Sequence, residues 1–497
     1  MRAAGICCAV NADVCCKAKH GEANSPLTAR CFSRLSCITA VYHAMGGLAM
    51  NGSRGALAAP GLLVLLFFAE AGLAQIPTPT VSPDRPDMAS IPDGDPALIF
   101  NDYSWRSFIA LNWPAVRANV RGKPDRGKQF GDAAGPRVWS TWKSRYEIFQ
   151  RDGAPPASWA SYQGENPCGP GFANDVVTLH SFKPFSDFNQ AGFGLSKALN
   201  PLVARNQTYV RYEVRVNELE FSSIVDNQWY LASNLPTKTT FVPFNIGSTA
   251  VKAAWRILTD KDTPAIRARY YVVKDAAVFD ERSGRCTARD IALVGLHIVT
   301  KTRSRPQWIW SSFEHIDNVP GLTREPKPPE GVPFSFYDPN GPHTLNPDMP
   351  PRTISPSNPP ASDRLPEPMQ VVRQQQISRE SMATNEAYWN LPQIKGTVWQ
   401  NYMLVSTQWP TEPLPESPDN NGVPTPSGGS VLSNTTMETY YQYDGASCMQ
   451  CHEKANQAGR DFVMFVTKDA FAPGVPEEAA RVGNHVTGGG IPPAGHP

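Results

Sequence analysis

The chain has 497 residues, 41% of them hydrophobic, and a formal net charge of +1. That length suffices for a large core and suggests two to four domains. The near-neutral balance, with no long run of like charge, argues against a nucleic-acid partner or a polybasic membrane role. Its 48 prolines, roughly twice the ordinary share, predict much irregular, extended backbone.

From Met50 the chain reads MNGSRGALAAPGLLVLLFFAEAGLAQIPTP. Arg54 supplies a positive start, residues 56–69 an apolar stretch, and Gly72-Leu73-Ala74 a small-residue cleavage site, the pattern of a secretory signal peptide cut after Ala74. The competing reading is a membrane anchor, but Pro60 and Glu70 leave the apolar stretch short of the ~20 residues a span needs. Gln75 rather than a cysteine follows the cut, so no lipid anchor is indicated there. Residues 1–44 look like neither signal nor domain, and translation is expected to start at Met45 or Met50. The expected destination is the bacterial periplasm, without membrane association once the signal is removed. Setting aside residues 1–74 removes six of the ten cysteines and leaves Cys168, Cys286, Cys448 and Cys451. An exported protein can form disulfides; whether Cys168 and Cys286 are bridged depends on a spatial separation that sequence does not give.

In chain order, DPALIFNDYSWRSFIALNWPA reads as a helix, with Trp105, Phe108, Ile109 and Trp113 near helical spacing, Asp102 as N-cap and Pro114 as its stop. RVWSTWKSRYEIF reads as a second helix with Trp139, Trp142 and Tyr146 on one face. From about residue 205 the period changes to two. QTYVRYEVRVNEL, STAVKAAWRILT, RYYVVKDAAVF, DIALVGLHIVTKT and PQWIWSSFEHID are rich in β-branched and aromatic residues and bounded by turn formers. Their close spacing, without helical crossovers, predicts an antiparallel sheet in an α+β body over 95–318. ELEF at 218–221 and the acidic pair at 280–281 read as surface charge. A Pro-rich region, 319–430, should be loop-like apart from a short helix in SRESMATNEAYWNL and a strand in VWQNYMLVSTQW. SNTTMETYYQ reads as a capped helix opening a segment at 431–471, and 472–497 as a disordered tail.

YDGASCMQCHEKA contains the C-x-x-C-H pattern that attaches a c-type haem: Cys448, Cys451 and His452. Cysteines three apart share one face of a helical turn and can reach the two vinyl groups, while the next imidazole is carried beneath the ring as the proximal iron ligand. The competing readings are a C-x-x-C redox disulfide, which wants a βαβ context, and half of a zinc site, for which only His485 and His496 follow in a Gly/Pro tail. Some forty residues around the motif cannot supply both apolar walls of a porphyrin pocket. The body is therefore expected to supply part of it, with the short helical haem segment packed against the sheet.

The sixth iron ligand is open among several residues. Met464 is the only methionine downstream of the motif, and Met437 and Met403 are further options. The body offers His297, which alternation places on one strand face with Ile291, Leu293 and Val299, and His315, flanked by Glu314, Asp317 and Asn318 as orienting groups. An open distal side is the remaining possibility. Trp308 and Trp310 read as core that could also relay electrons or line a pocket. There is no G-x-S-x-G, H-E-x-x-H or glycine-rich phosphate loop.

VKAAWRIL, VGLHIVTKTRSRPQWIWSSFEHIDNVP, NYMLVSTQWP and LSNTTMETYYQYDGASCMQCHEKA together resemble a family of large exported bacterial proteins described as cytochrome c family proteins. The resemblance runs from about 95 to 471 and implies a periplasmic haem protein without lending a substrate. The expected function is a mono-haem c-type cytochrome that passes single electrons to a partner protein whose identity the sequence does not give. The alternative is a haem-dependent oxidoreductase, such as a peroxidase with a substrate pocket in the body; a haem-based sensor is a third reading.

Overall fold

The structure is a computed structural model. It describes residues 76–474 apart from 117–119, 133–134, 165, 181–200, 281–282, 323–324, 342–343, 347–364, 418–430 and 443–445. The expected signal peptide, residues 1–44, the tail with His485 and His496, and position 281 therefore lie outside the described residues.

The main elements are, in chain order, α1 (Pro96–Leu111), β1 (Lys143–Ser144), α2 (Arg145–Ile148), β2 (Thr178–Leu179), β3 (Arg211–Val216), α3 (Glu218–Asp226), β4 (Thr249–Ile257), α4 (Pro264–Arg267), β5 (Val272–Asp280), β6 (Arg285–Thr300), β7 (Ile309–His315), α5 (Arg379–Trp389), β8 (Tyr402–Gln408), α6 (Cys448–Gln457) and α7 (Phe465–Asp469). The strands form one eight-stranded sheet in an α+β architecture. The long β6 organises it: β4 pairs along one edge from Ile291 to Thr300, while the other edge is shared by β5 up to Ala292 and by β7 from Gly295 onward. β8 then pairs with β7, so a strand from the Pro-rich half of the sequence completes the sheet of the body. The five alternating stretches all contain strands. The sheet is nevertheless mixed rather than antiparallel, because the two-residue β2 lies parallel to β5.

Both faces are covered. On one, α1 and the aromatic residues Trp105, Phe108, Phe313, Trp399 and Tyr402 form the largest core with Leu296 and Ile298. Burial extends to the charged row of β3, where Arg215 donates to Glu213 at 2.7 Å and Glu213 accepts from the Trp255 indole at 2.8 Å. The opposite face carries Ala254, Val294, Val299 and Trp310, on which the C-terminal segments rest.

Local chemistry corrects two helix expectations. Asp95, not Asp102, caps α1, accepting from the Ala97 amide at 2.8 Å. Pro96 at the first helical position needs no amide partner of its own and fixes the start there. Asp102 lies inside the helix and accepts the Tyr388 hydroxyl at 2.6 Å. Asp95→Ala should therefore lower unfolding free energy by about 1 kcal/mol in urea titrations through loss of the cap. The stretch 137–149 is not one helix. A single 3₁₀ turn at Trp139–Thr141 gives way to Lys143–Ser144, which pair with Arg215–Val216, before Ser144 caps the four-residue α2 through a reciprocal bond with Glu147. SNTTMETYYQ folds as turns instead of a helix, for reasons given below. ELEF opens α3, and its Glu220 is fully buried instead of lying on the surface. Cys168 and Cys286 are joined in a disulfide that ties the loop before β2 to the start of β6.

Candidate functional site

Helix α6 begins at the thiol pair because Ser447 caps it, accepting from the Gln450 amide, and because Gln408 at the end of β8 accepts from the Cys448 amide at 3.0 Å. Met449, between the cysteines, is fully buried against the cluster of Phe149, Trp229 and Phe462 and pins the helix to the body. Cys448 and Cys451 are both free thiols and half-buried. Burial pushes the Cys448 thiol well up and the Cys451 thiol up to about 12, with Glu438 adding to both. A catalytic C-x-x-C pair needs the opposite shift, toward thiolate.

His452 follows at once. Its Nδ1 lies 2.7 Å from the Phe462 carbonyl, which can only accept, so Nδ1 carries the proton and Nε2 is left with a lone pair. Burial holds the imidazole down at about 4, against the pull of that carbonyl, and keeps it neutral at neutral pH. The carbonyl is supplied by a strained turn: Asp461 and Phe462 have φ of 48° and 66°, a left-handed conformation that costs a bulky side chain about 1–2 kcal/mol. Asp461 holds the turn in place by accepting from the Phe244 amide at 2.9 Å and from Lys301 Nζ at 2.8 Å. The Trp308 indole adds a bond to the Asp461 carbonyl at 3.0 Å. Gly459, at φ 84°, admits the close passage of Thr237, whose carbonyl a Cβ would strike. The Trp310 ring packs against His452 with centroids 4.7 Å apart.

The sheet face opposite this helix brings His297 and Lys252 side by side, cross-strand partners on β6 and β4. His297 does not share a face with Ile291 and Leu293 as simple alternation predicts. An irregularity in the β4–β6 register, where Ala254 pairs with Gly295 but Trp255 with Leu293, rotates the later residues by one position. His297 thus lies on the face of Val299 and not on that of the aromatic core. Its buried Nε2 lies 3.5 Å from Glu438 Oε2, a long contact, and has no closer hydrogen-bond partner among the described residues. Burial works to raise the Glu438 carboxyl, but His297 and Lys252 outweigh it and hold the group below its ordinary range. Burial likewise pulls the Lys252 ammonium down, while Glu438 and the two cysteines pull it back up.

Glu438 is placed by the segment 434–441. Asn434 Nδ2 donates to Ser312 Oγ and to the Phe313 carbonyl, both at 3.0 Å, while Asn434 Oδ1 accepts from the Thr436 amide at 2.9 Å. Thr435 gives its amide and hydroxyl to Glu314, each at 2.6 Å. These side-chain bonds compete with a helical ladder and leave turns. Gly295 permits the contact, since a Cβ there would collide with Thr436 Oγ1.

The other candidates fall elsewhere. His315 shares its face of β7 with Ser311 and Phe313, away from the thiols. Its Nε2 lies 3.0 Å from the Arg269 carbonyl, its Nδ1 accepts from the Asp317 amide at 3.1 Å, and its ring stacks on Tyr270 at 3.8 Å. Both nitrogens are engaged, so the structure does not support His315 as an iron ligand. Met464 caps the short α7, and its carbonyl accepts from the Thr467 amide. Met403 is buried in a cluster with Cys448, and Met437 in the cluster of Tyr212 and Val294. Sequence reading passed over Lys252 and Glu438. Each is the one charged residue in an otherwise uncharged stretch, VKAAW and NTTMETYY, a signal that was available.

The residues fit a covalently held haem: two free thiols one turn apart and a following imidazole with Nδ1 engaged and Nε2 left over, with His297 on the sheet face that carries Val299 and paired at 3.5 Å with Glu438. Among the described residues no group of three or more His, Cys, Asp or Glu is arranged to hold a metal ion by side chains alone, and no helix is long and apolar enough to cross a membrane. Comparison of the chain with family models, with curated proteins and with solved structures gives no match.

Proposed function

We propose that the chain is an exported mono-haem c-type cytochrome, as its resemblance to the cytochrome c family proteins implies. Cys448 and Cys451 would hold the haem through thioether bonds, His452 would be the proximal ligand and His297 the facing one. The haem, when bound, supplies a one-electron couple. The chain's own part is to bind and to tune. The bond to the Phe462 carbonyl orients His452 and raises its basicity, as second partners of ligating histidines do. Trp310 and Met449 exclude water, and the Lys252–Glu438 pair sets the field beside His297. The observation that carries this reading is the 2.7 Å bond from His452 Nδ1 to Phe462, which leaves Nε2 as the available donor directly after two free thiols. The disulfide between Cys168 and Cys286 supports an oxidising compartment such as the periplasm.

The polar side chains around His297 favour one second reading, a haem-dependent oxidoreductase in which His297 moves protons and the distal side stays open. The test is expression in cells competent for cytochrome maturation, followed by intact mass and by absorption and resonance Raman spectra. The carrier reading predicts one added haem and low-spin six-coordinate iron in both redox states, converted to high-spin by His297→Ala and unaffected by His315→Ala. High-spin iron in the unaltered chain supports the oxidoreductase. Absence of any added mass defeats both.

A further inference from the structure

Asp461 is a buried acid with a path to the surface. It is 3% exposed, and its Oδ2 accepts from Lys301 Nζ at 2.8 Å and from the Phe244 amide at 2.9 Å. The fully buried Lys301 in turn reaches Glu416, whose Oε1 lies 2.5 Å from the same Nζ and whose side chain is 34% exposed. Carboxylate, ammonium and carboxylate thus run from the interior to the surface. From α3 the fully buried Glu220 faces the same acid as a fourth titratable group. The Trp308 indole closes another side, 3.4 Å from Oδ1 and bonded to the Asp461 carbonyl. Phe244, Trp308 and Phe462 belong to the apolar cluster that also contains Met449 and Trp310, and Trp310 packs on His452. Charges set in such a cluster act on one another through a low dielectric. Burial pushes the Asp461 carboxyl up to about 6 against the pull of Lys301 and the Phe244 amide, which brings proton binding close to neutral pH. The next residue supplies the carbonyl that accepts from His452 Nδ1 at 2.7 Å. The acid is therefore joined to the expected proximal ligand through the backbone of a single residue.

We propose that Asp461 is a redox-linked proton site: entry of one electron at the haem is accompanied by uptake of one proton from water on the Asp461 carboxylate, by way of the Glu416 side, and both leave together when the electron passes to the partner protein. The added negative and positive charges balance, so the buried cluster keeps its net charge. The inference rests on the cytochrome reading and deepens it, making the chain a coupled carrier of one electron and one proton.

Potentiometric titration of the haem-loaded full chain from pH 5 to pH 8 tests it, once intact mass has shown one haem. The equilibrium constant for reduction should fall by at least about threefold over that range, below a ceiling of about tenfold per pH unit, or about 59 mV, for one proton per electron. In reduced-minus-oxidised infrared spectra a protonated carboxyl band should appear on reduction and shift in heavy water. Asp461→Asn should remove the band and flatten the pH dependence. Asparagine tolerates the left-handed φ of 48° and keeps an oxygen for the Phe244 amide, so the turn should survive. Glu220→Gln should leave both signals in place, which separates Asp461 from its neighbour. A haem-loaded chain with a pH-independent potential, with no carboxyl band on reduction, or with a band that survives Asp461→Asn overturns this proposal alone. A chain that takes up no haem overturns the cytochrome reading with it. Where Asp461→Asn fails to fold, the two signals in the unaltered chain and their retention in Glu220→Gln decide the matter.

Discussion

Replacing Arg373 by methionine is expected to lower the unfolding free energy by about 3–5 kcal/mol, the usual cost of breaking a buried ion pair from one side. The side chain is almost wholly buried and contacts Glu314 and Glu325 at 2.8 and 2.7 Å. Burial alone works against its charge, but the two carboxylates more than offset this and keep it protonated. Methionine would fill much of the volume and leave both carboxylates without a counter-charge. The effect reaches the candidate site through Glu314, whose other partners are the amide and hydroxyl of Thr435. A protonated or reoriented Glu314 cannot accept both bonds, so the segment that places Glu438 beside His297 should loosen. Urea unfolding measures the first effect. The second should appear as increased hydrogen exchange at 434–441 under conditions where the rest of the sheet remains protected. A loss below about 1 kcal/mol would mean that the triad contributes no more than an exposed ion pair does.

Residue types in this chain read locally, and they were legible where local chemistry decides the outcome. The stretches over 249–315 became strands because β-branched and aromatic side chains at period two suit a pleated surface, and SRESMATNEAYWNL became α5 because Ser378 caps it. Reading failed where a distant partner decides. The charged row Arg211, Glu213 and Arg215 is buried, with Arg215 donating to the Trp142 carbonyl, Glu213 accepting from the Trp255 indole and Arg211 donating to the Phe279 carbonyl, all partners from other stretches of chain. His297 and His315 stand on strands whose alternation is readable, but the register irregularity in β6 turns His297 toward the thiols, and nothing in its own sequence announces that shift. The pairing of His297 with Lys252 and Glu438 joins three separate stretches of chain. By contrast, the C-x-x-C-H spacing alone places both thiols and His452 within about one helical turn, and α6 carries all three there.

Glu220→Gln is expected to make the protein more stable at pH 8 and to change it little at pH 4. Glu220 is fully buried on α3 and neither carboxylate oxygen has a hydrogen bond among the described residues. Burial pushes its pKa well above the ordinary value, and the nearby Asp461 pushes it further. A carboxyl whose folded pKa exceeds its unfolded one favours the folded state while protonated. That contribution is fully present below the unfolded value near 4.5 and is lost as pH rises through the folded value. Across this window the chain should lose about 1.4 kcal/mol per pH unit through Glu220, and glutamine, which does not titrate, should not. Asp461 contributes in the same direction over a narrower range: burial raises it to about 6 although Lys301 opposes the shift. Its effect remains in the variant, so both proteins should lose stability between pH 4 and 6, the unaltered chain more steeply from about pH 4.5 upward, and the gap should widen further above pH 6. Urea titrations at pH 4, 6 and 8 measure the divergence. Parallel curves at all three would show that Glu220 is ionised and compensated in the folded protein, by a water or a counter-charge that reaches its oxygens. The outcome bears on the candidate site, because Asp461, the charge that raises Glu220 further, is bonded to Lys301 and holds the turn that presents the Phe462 carbonyl to His452.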